Sequence, residues 1–163
     1  MTSLNRVTQV ICKGLIWVAG FLLAAMTVLT CANIFLRKVW VPIAGTFELM
    51  GYFSAVATAF ALGLTQLGKG HIAVDVLVLR FSGRTRSILN ALNAVLCAGF
   101  FGLIAWQIAR YATTLMKTGE VTETLRIIYY PFTYAVALGC AALGLVFLSE
   151  FLQSLTQNKE DEK

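Results

Sequence analysis

The stretch "GLIWVAGFLLAAMTVLTCANIFL", residues 14–36, decides the fold. It places 23 consecutive uncharged residues between Lys13 and Arg37. About 20 mainly apolar residues cross a hydrocarbon core as an α-helix. In lipid every backbone amide and carbonyl needs an internal partner, and this run lacks the alternation of a barrel strand. Three more windows of this kind follow: 20 uncharged residues between Glu48 and Lys69, 23 between Arg86 and Arg110, and 23 between Arg126 and Glu150. The expectation is an all-α integral membrane protein with four transmembrane helices, near 14–36, 47–68, 86–109 and 130–151. They form a single membrane domain over residues 1–163, with a short cytoplasmic interfacial segment near 70–82.

Composition agrees. The 163-residue chain is 58% hydrophobic and 13% charged, with a mean hydropathy of +0.77. Soluble domains are less apolar and about twice as charged. A net charge of +5 raises nucleic-acid binding, but Lys and Arg are scattered singly between apolar blocks, a pattern that orients a chain in a bilayer. The first window follows basic residues, as a signal peptide does. It is longer than a typical signal core and runs on to Arg37 without a clear cleavage site, so it reads as a retained span.

Of the 13 Lys and Arg residues, eight fall on the face shared by the N-terminal tail, the middle connection and the C-terminal tail; five fall on the other. The positive-inside rule then puts both termini in the cytoplasm. Trp17, Trp40, Trp106, Tyr111, Tyr129 and Tyr130 lie towards span ends, as interfacial aromatics do. In "VPIAGTFELMGY", residues 41–52, Pro42 and Gly45 interrupt the chain, and Thr46 is expected to cap a helix beginning near Phe47. Glu48 then occupies the first turn, where the helix dipole favours a carboxylate. Pro131 suits the first turn of span four.

Small residues recur at helical spacing: Gly51, Ala55 and Ala59 in span two, Ala94, Ala98 and Gly102 in span three, Ala135 and Gly139 in span four. Such stripes let membrane helices approach closely, either within this chain or against another membrane protein.

The four windows contain no Asp, Glu, Lys, Arg or His. Proton- or ion-coupled carriers usually keep an intramembrane ionisable group or a broken helix. The windows offer Thr27, Asn33, Ser54, Thr58, Thr65, Gln66, Asn90, Asn93, Gln107 and Thr133, which can bond neighbouring helices but form no proton relay. Neither catalysis nor independent transport is expected, and no cofactor. Cys12, Cys31, Cys97 and Cys140 fall in separate regions without a Cys-x-x-Cys pair, so they read as buried apolar residues and not as zinc ligands.

The only histidine, His71, lies four residues before Asp75 in "GKGHIAVDVLVLRF", residues 68–81. On a helix the two share one face and can form a charge-assisted hydrogen bond. Ser82 and Arg86 continue that face, and Ile72, Val76 and Leu79 line a neighbouring apolar one, as in a segment along the membrane boundary. Alternation at 72, 74 and 76 also permits an extended stretch. One histidine with one carboxylate is too few for a structural metal site, so a boundary anchor is the expected role. At the opposite face, Asn33 and Arg37 are also four apart. Arg37 can pair with Glu48 across the connection, or the two charges can be solvated separately.

The segments "NIFLRKVWVPIAGTFELMGY" (33–52) and "GLTQLGKGHIAVDVL" (63–77) resemble the small membrane subunit, or Q subunit, of tripartite ATP-independent periplasmic (TRAP) transporters. The matching positions are Asn33 and Arg37 ending span one, Pro42 in the connection and Glu48 opening span two. Gly70, His71, Ile72, Val74, Asp75 and Leu77 follow that span. Many members carry a Trp and a second acidic residue where this chain has Gly-Thr-Phe-Glu at 45–48, so no carboxylate pair is carried over.

The resemblance implies a multi-pass subunit of the bacterial inner membrane, paired with a much larger membrane subunit that holds the substrate and sodium sites and moves as an elevator. A periplasmic binding protein delivers an organic acid, such as a dicarboxylate or sialic acid, to the pair. The small subunit is expected to be static scaffold, with Asn33, Arg37, Glu48, Gly70, His71 and Asp75 as structural or partner-interface positions. Gly51, Ala55, Ala98, Gly102 and Gly139 are the helix-packing positions. The competing expectations are a self-contained four-helix carrier and, further off, a membrane redox enzyme.

Overall fold

A computed structural model describes residues 3–68 and 83–160, with side chains for 6–68 and 89–152. The described residues form four helices: α1 (Ser3–Val39), α2 (Thr46–Leu67), α3 (Gly83–Thr118) and α4 (Tyr130–Glu160). All four are long and apolar enough to cross a membrane, and no sheet is present among the described residues. The protein is a multi-pass, all-α membrane protein. The expected interfacial segment near 70–82, with Gly70, His71 and Asp75, lies outside the described residues.

Three helices outrun their uncharged windows. α1 has 37 residues, α3 has 36 and α4 has 31. At 1.5 Å per residue α1 and α3 are each about 55 Å long, well beyond a hydrocarbon core of ~30 Å. The charged ends are therefore helical extensions into headgroups and water. α2 has 22 residues and matches the core thickness.

The helices pack in the order α1–α2–α4–α3. α4 packs extensively on α3 and α2, α2 on α1, and α1 touches α4 lightly, with no comparable contact between α2 and α3 or between α1 and α3 among the described residues. α4 is accordingly the most enclosed span, burying Ala137, Cys140, Ala142, Leu143, Val146 and Phe147. In lipid the force between helices is close packing and not the hydrophobic effect, so small residues decide which backbones meet. A Cβ at Gly139 would lie 2.7 Å from the carbonyl carbon and oxygen of Ala59, so only glycine permits this α2–α4 approach. On α3, the backbone of Gly102 and Ala98 meets Gly144 of α4, 3.7–3.8 Å from where a Cβ would be. Cys12 of α1 reaches Gly63 of α2, its Sγ 3.0 Å from such a Cβ.

Larger side chains fill the remainder. Ala19, Val56 and Phe60 form a buried cluster flanked by Leu15, Ile16 and Leu22 of α1 and by Phe132, Ala135 and Val136 of α4. Phe101 stacks on Phe147 with ring centres 5.9 Å apart, joining α3 to α4. Most other large apolar side chains point outward: Trp17 is 82% exposed and Phe21 74%. In water that pattern would aggregate; in a bilayer it faces acyl chains or a partner.

Candidate functional site

Among the described residues, polar side-chain contacts are most numerous at one end of the bundle, where the α1–α2 and α3–α4 connections meet. α1 closes with Trp40 N donating to Leu36 O at 2.7 Å. The chain then turns back, and the Asn33 side chain holds the turn by accepting from Ile43 N at 2.9 Å. Gly45, at φ 73°, supplies the left-handed backbone that starts α2. The expected Thr46 cap does not form. Gly45 is the capping residue without a side-chain bond, and the buried Thr46 hydroxyl donates backwards to Ile43 O at 2.8 Å.

The α3–α4 connection is a compact loop. Gly119, at φ 66°, ends α3, and Val121 pairs with Ile128 in an antiparallel bridge. The buried Thr122 organises the turn: its amide donates to Ile127 O at 3.0 Å, and its hydroxyl accepts from Ile127 N at 3.1 Å. Arg126 takes φ 51° at the tip. At the loop's base the Tyr129 hydroxyl donates to the Glu120 carboxylate. That hydrogen bond, reinforced by partial desolvation and nearby negative charge, pushes the Tyr129 phenol up to about 12.

Glu48 joins the two connections. Its Oε1 accepts from Thr124 N at 2.8 Å and its Oε2 from Leu125 N at 3.3 Å. The Leu125 side chain fills the space beside Gly45, where an added Cβ would collide with Leu125 Cγ. Below, Tyr52 stacks between Tyr129 and Phe132, at 5.9 and 5.3 Å. A carboxylate taking two backbone amides while its helix neighbours receive the loop's leucine and tyrosine makes a clasp. Of the two alternatives for Arg37 and Glu48, the ion pair is not formed. Glu48 is committed to the loop, and Arg37 is exposed in the last turn of α1. Sequence spacing drew attention to the nearest cation, whereas backbone amides carry no residue signal.

A smaller junction closes the other end. Gln66 Nε2 of α2 donates to both carboxylate oxygens of Glu150 in α4, at 3.1 and 2.9 Å. Between these ends, Thr113 Oγ1 and the Tyr134 hydroxyl share a hydrogen bond of 3.0 Å from α3 to α4.

The expected site positions thus fall into distinct places. Asn33 and Glu48 are half-buried in the clasp region. Gly139 is buried against α2, and Ala98 and Gly102 lie where α3 meets α4. Gly51 and Ala55 face outward, and a Cβ at Gly51 would meet nothing within 4 Å. Gly45, Thr122, Leu125 and the Tyr52–Tyr129–Phe132 stack complete the clasp and were not expected. The four cysteines are free thiols, and no group of three His, Cys, Asp or Glu residues able to hold a metal occurs among the described residues.

This arrangement holds helices together. No curated protein and no solved structure matches the chain. The family described as tripartite ATP-independent periplasmic transporters, DctQ component, matches residues 26–157, which span the clasp, α2, α3 and α4. The chain belongs to the DctQ component family of tripartite ATP-independent periplasmic transporters.

Proposed function

We propose that this small permease subunit is a static scaffold for the large membrane subunit of a sodium-coupled TRAP transporter that imports an organic acid. The observation that carries the reading is the placement of charge. The four uncharged windows hold no Asp, Glu, Lys, Arg or His, and the carboxylates at their margins, Glu48 and Glu150, are engaged in holding helices together. Coupling chemistry needs an ionisable group or a broken helix at depth, and α2 and α4 run unbroken through their windows. Substrate and sodium sites then belong to the large subunit, and substrate capture to a periplasmic binding protein.

In this reading the Glu48 end faces the periplasm of a bacterial inner membrane, and both termini are cytoplasmic. The Lys and Arg distribution supports that orientation. Gly70, His71 and Asp75 anchor a cytoplasmic boundary segment and its seat against the partner. A disulfide-forming redox enzyme would need paired cysteines, and the four thiols here are free.

The test is reconstitution. The purified chain in proteoliposomes under an inward-directed sodium gradient is expected to take up no organic acid. It is expected to co-purify with the large subunit and to support uptake only with that subunit and the binding protein. Uptake by this chain alone would favour the self-contained carrier and overturn the scaffold reading.

A further inference from the structure

Among the described residues α2 and α3 both pack on α4 and make no comparable contact with each other, which leaves an open face between them. At about 100° per residue, Gly51, Ala55, Thr58 and Leu62 lie a quarter-turn from the Ala59–Gly63 face that meets α4, on the side away from α1. On α3, Asn93, Ile104 and Gln107 lie about a third of a turn from the Ala98–Ala105–Ala112 face that meets α4. The right-handed screw of the two antiparallel helices turns both stripes towards the same open face.

Two polar members of these stripes, Thr58 and Gln107, lie at one depth. α4 runs parallel to α2, from Glu48 and Leu125 at one end to Gln66 and Glu150 at the other. Gly139 marks the level of Ala59. Tyr134 marks the level of Thr113 on antiparallel α3, so five residues on along α4 correspond to five back along α3, which reaches Ile108. Gln107 and Thr58 therefore stand level, near the middle of α2.

Their hydrogen bonding sets them apart. Thr27, Thr30, Thr65, Thr113 and Thr114 donate to the carbonyl four residues back in their own helices. Ser54, Thr58 and Gln107 are exposed, and none has a hydrogen-bond partner among the described residues. Acyl chains offer neither donor nor acceptor, and leaving a carboxamide unsatisfied against them is costly. The occupant of this face must supply hydrogen bonds. The small wall at Gly51 and Ala55 also permits close approach of a helix backbone.

We infer that the open face between α2 and α3 seats a transmembrane helix of the large subunit, whose polar side chain or exposed carbonyl bonds Thr58 and Gln107. The inference rests on the scaffold reading and names the surface through which the scaffold acts.

The test uses the co-expressed two-subunit complex in native membranes. A photoactivatable side chain is placed at Thr58, at Gln107 and, for comparison, at Phe21 on the outward face of α1. Adducts with the large subunit are expected from 58 and 107, several-fold above the yield from 21. Thr58→Val together with Gln107→Leu is expected to lower co-purification of the large subunit without lowering the thermal stability of this chain by itself. If 58 and 107 label only lipid or a second copy of this chain while the subunits still co-purify, the seat is overturned and the scaffold reading stands. If the large subunit never co-purifies with the unmodified chain, both fall.

Discussion

The amide of Thr124 lies 2.8 Å from Oε1 of Glu48, although 76 residues separate them. This contact ties the loop between the third and fourth helices to the first turn of the second. Glu48→Ala removes both acceptors from Thr124 and Leu125, and the thermal midpoint of the purified protein in detergent is expected to fall by several degrees. Glu48→Gln keeps an acceptor oxygen but loses the charge, so its fall should be smaller. Limited proteolysis at 119–129 should quicken in the same order. Equal proteolysis in all three proteins would show that the carboxylate does not hold the loop.

Gly45 is expected to be intolerant of any side chain. A left-handed backbone costs an L-residue about 1–2 kcal/mol, before steric effects. At this position a Cβ would also collide with Leu125. Gly45→Ala should therefore destabilise more than Leu125→Ala, which only vacates space. Paired thermal melts of the two variants give the order directly.

Glycines within the helices should separate into two classes. Gly139→Ala forces Ala59 away, and overpacking of this kind costs about 1–3 kcal/mol. Gly20→Ala meets nothing within 4 Å and removes a flexible residue from a helix, so it should be neutral or stabilising by up to ~1 kcal/mol. Denaturant titration in mixed micelles can compare them. If the two variants matched, α2 and α4 would not be meeting at Gly139.

The Tyr129 phenol, pushed up to about 12 by its hydrogen bond to Glu120, makes a pH prediction. An unfolded-state tyrosine titrates near 10. A raised folded value means the protonated phenol favours the fold: its stabilisation is fully present below about pH 10 and is lost as pH rises through about 12. Tyr129→Phe should be less stable at neutral pH and lose less on going alkaline. Tyrosinate absorbance of the parent protein should contain a component titrating near pH 12 that the variant lacks.

Much of this architecture can be read before any coordinates. Four uncharged windows set the helices because a bilayer demands long apolar runs with closed backbone bonding. The composition of spans two and four marks glycine as the means of approach, and Gly139 against Ala59 is such a contact. What composition does not encode is neighbour order. Nothing in residues 127–149 announces that this span is enclosed while the similarly apolar α1 is largely exposed. The clasp was half legible. Glu48 in a first turn is a dipole argument available from sequence, but its partners are main-chain amides that any residue would offer. Gly45 ahead of Thr46 looked like a break in the chain and proved to be the left-handed residue that begins the helix.

The packing order also has a consequence for biogenesis. Because α1 meets α2 directly, those two spans can associate as soon as both have left the ribosome. Among the described residues the third span has no such early companion, since its broad contact is with α4, the last of the four to be synthesised. The nascent chain must hold α3 in the bilayer as a solitary helix until the fourth arrives and bridges the two halves. A translation arrest between them would leave α3 exposed to quality-control proteases, so the step most open to failure is the insertion of the final span.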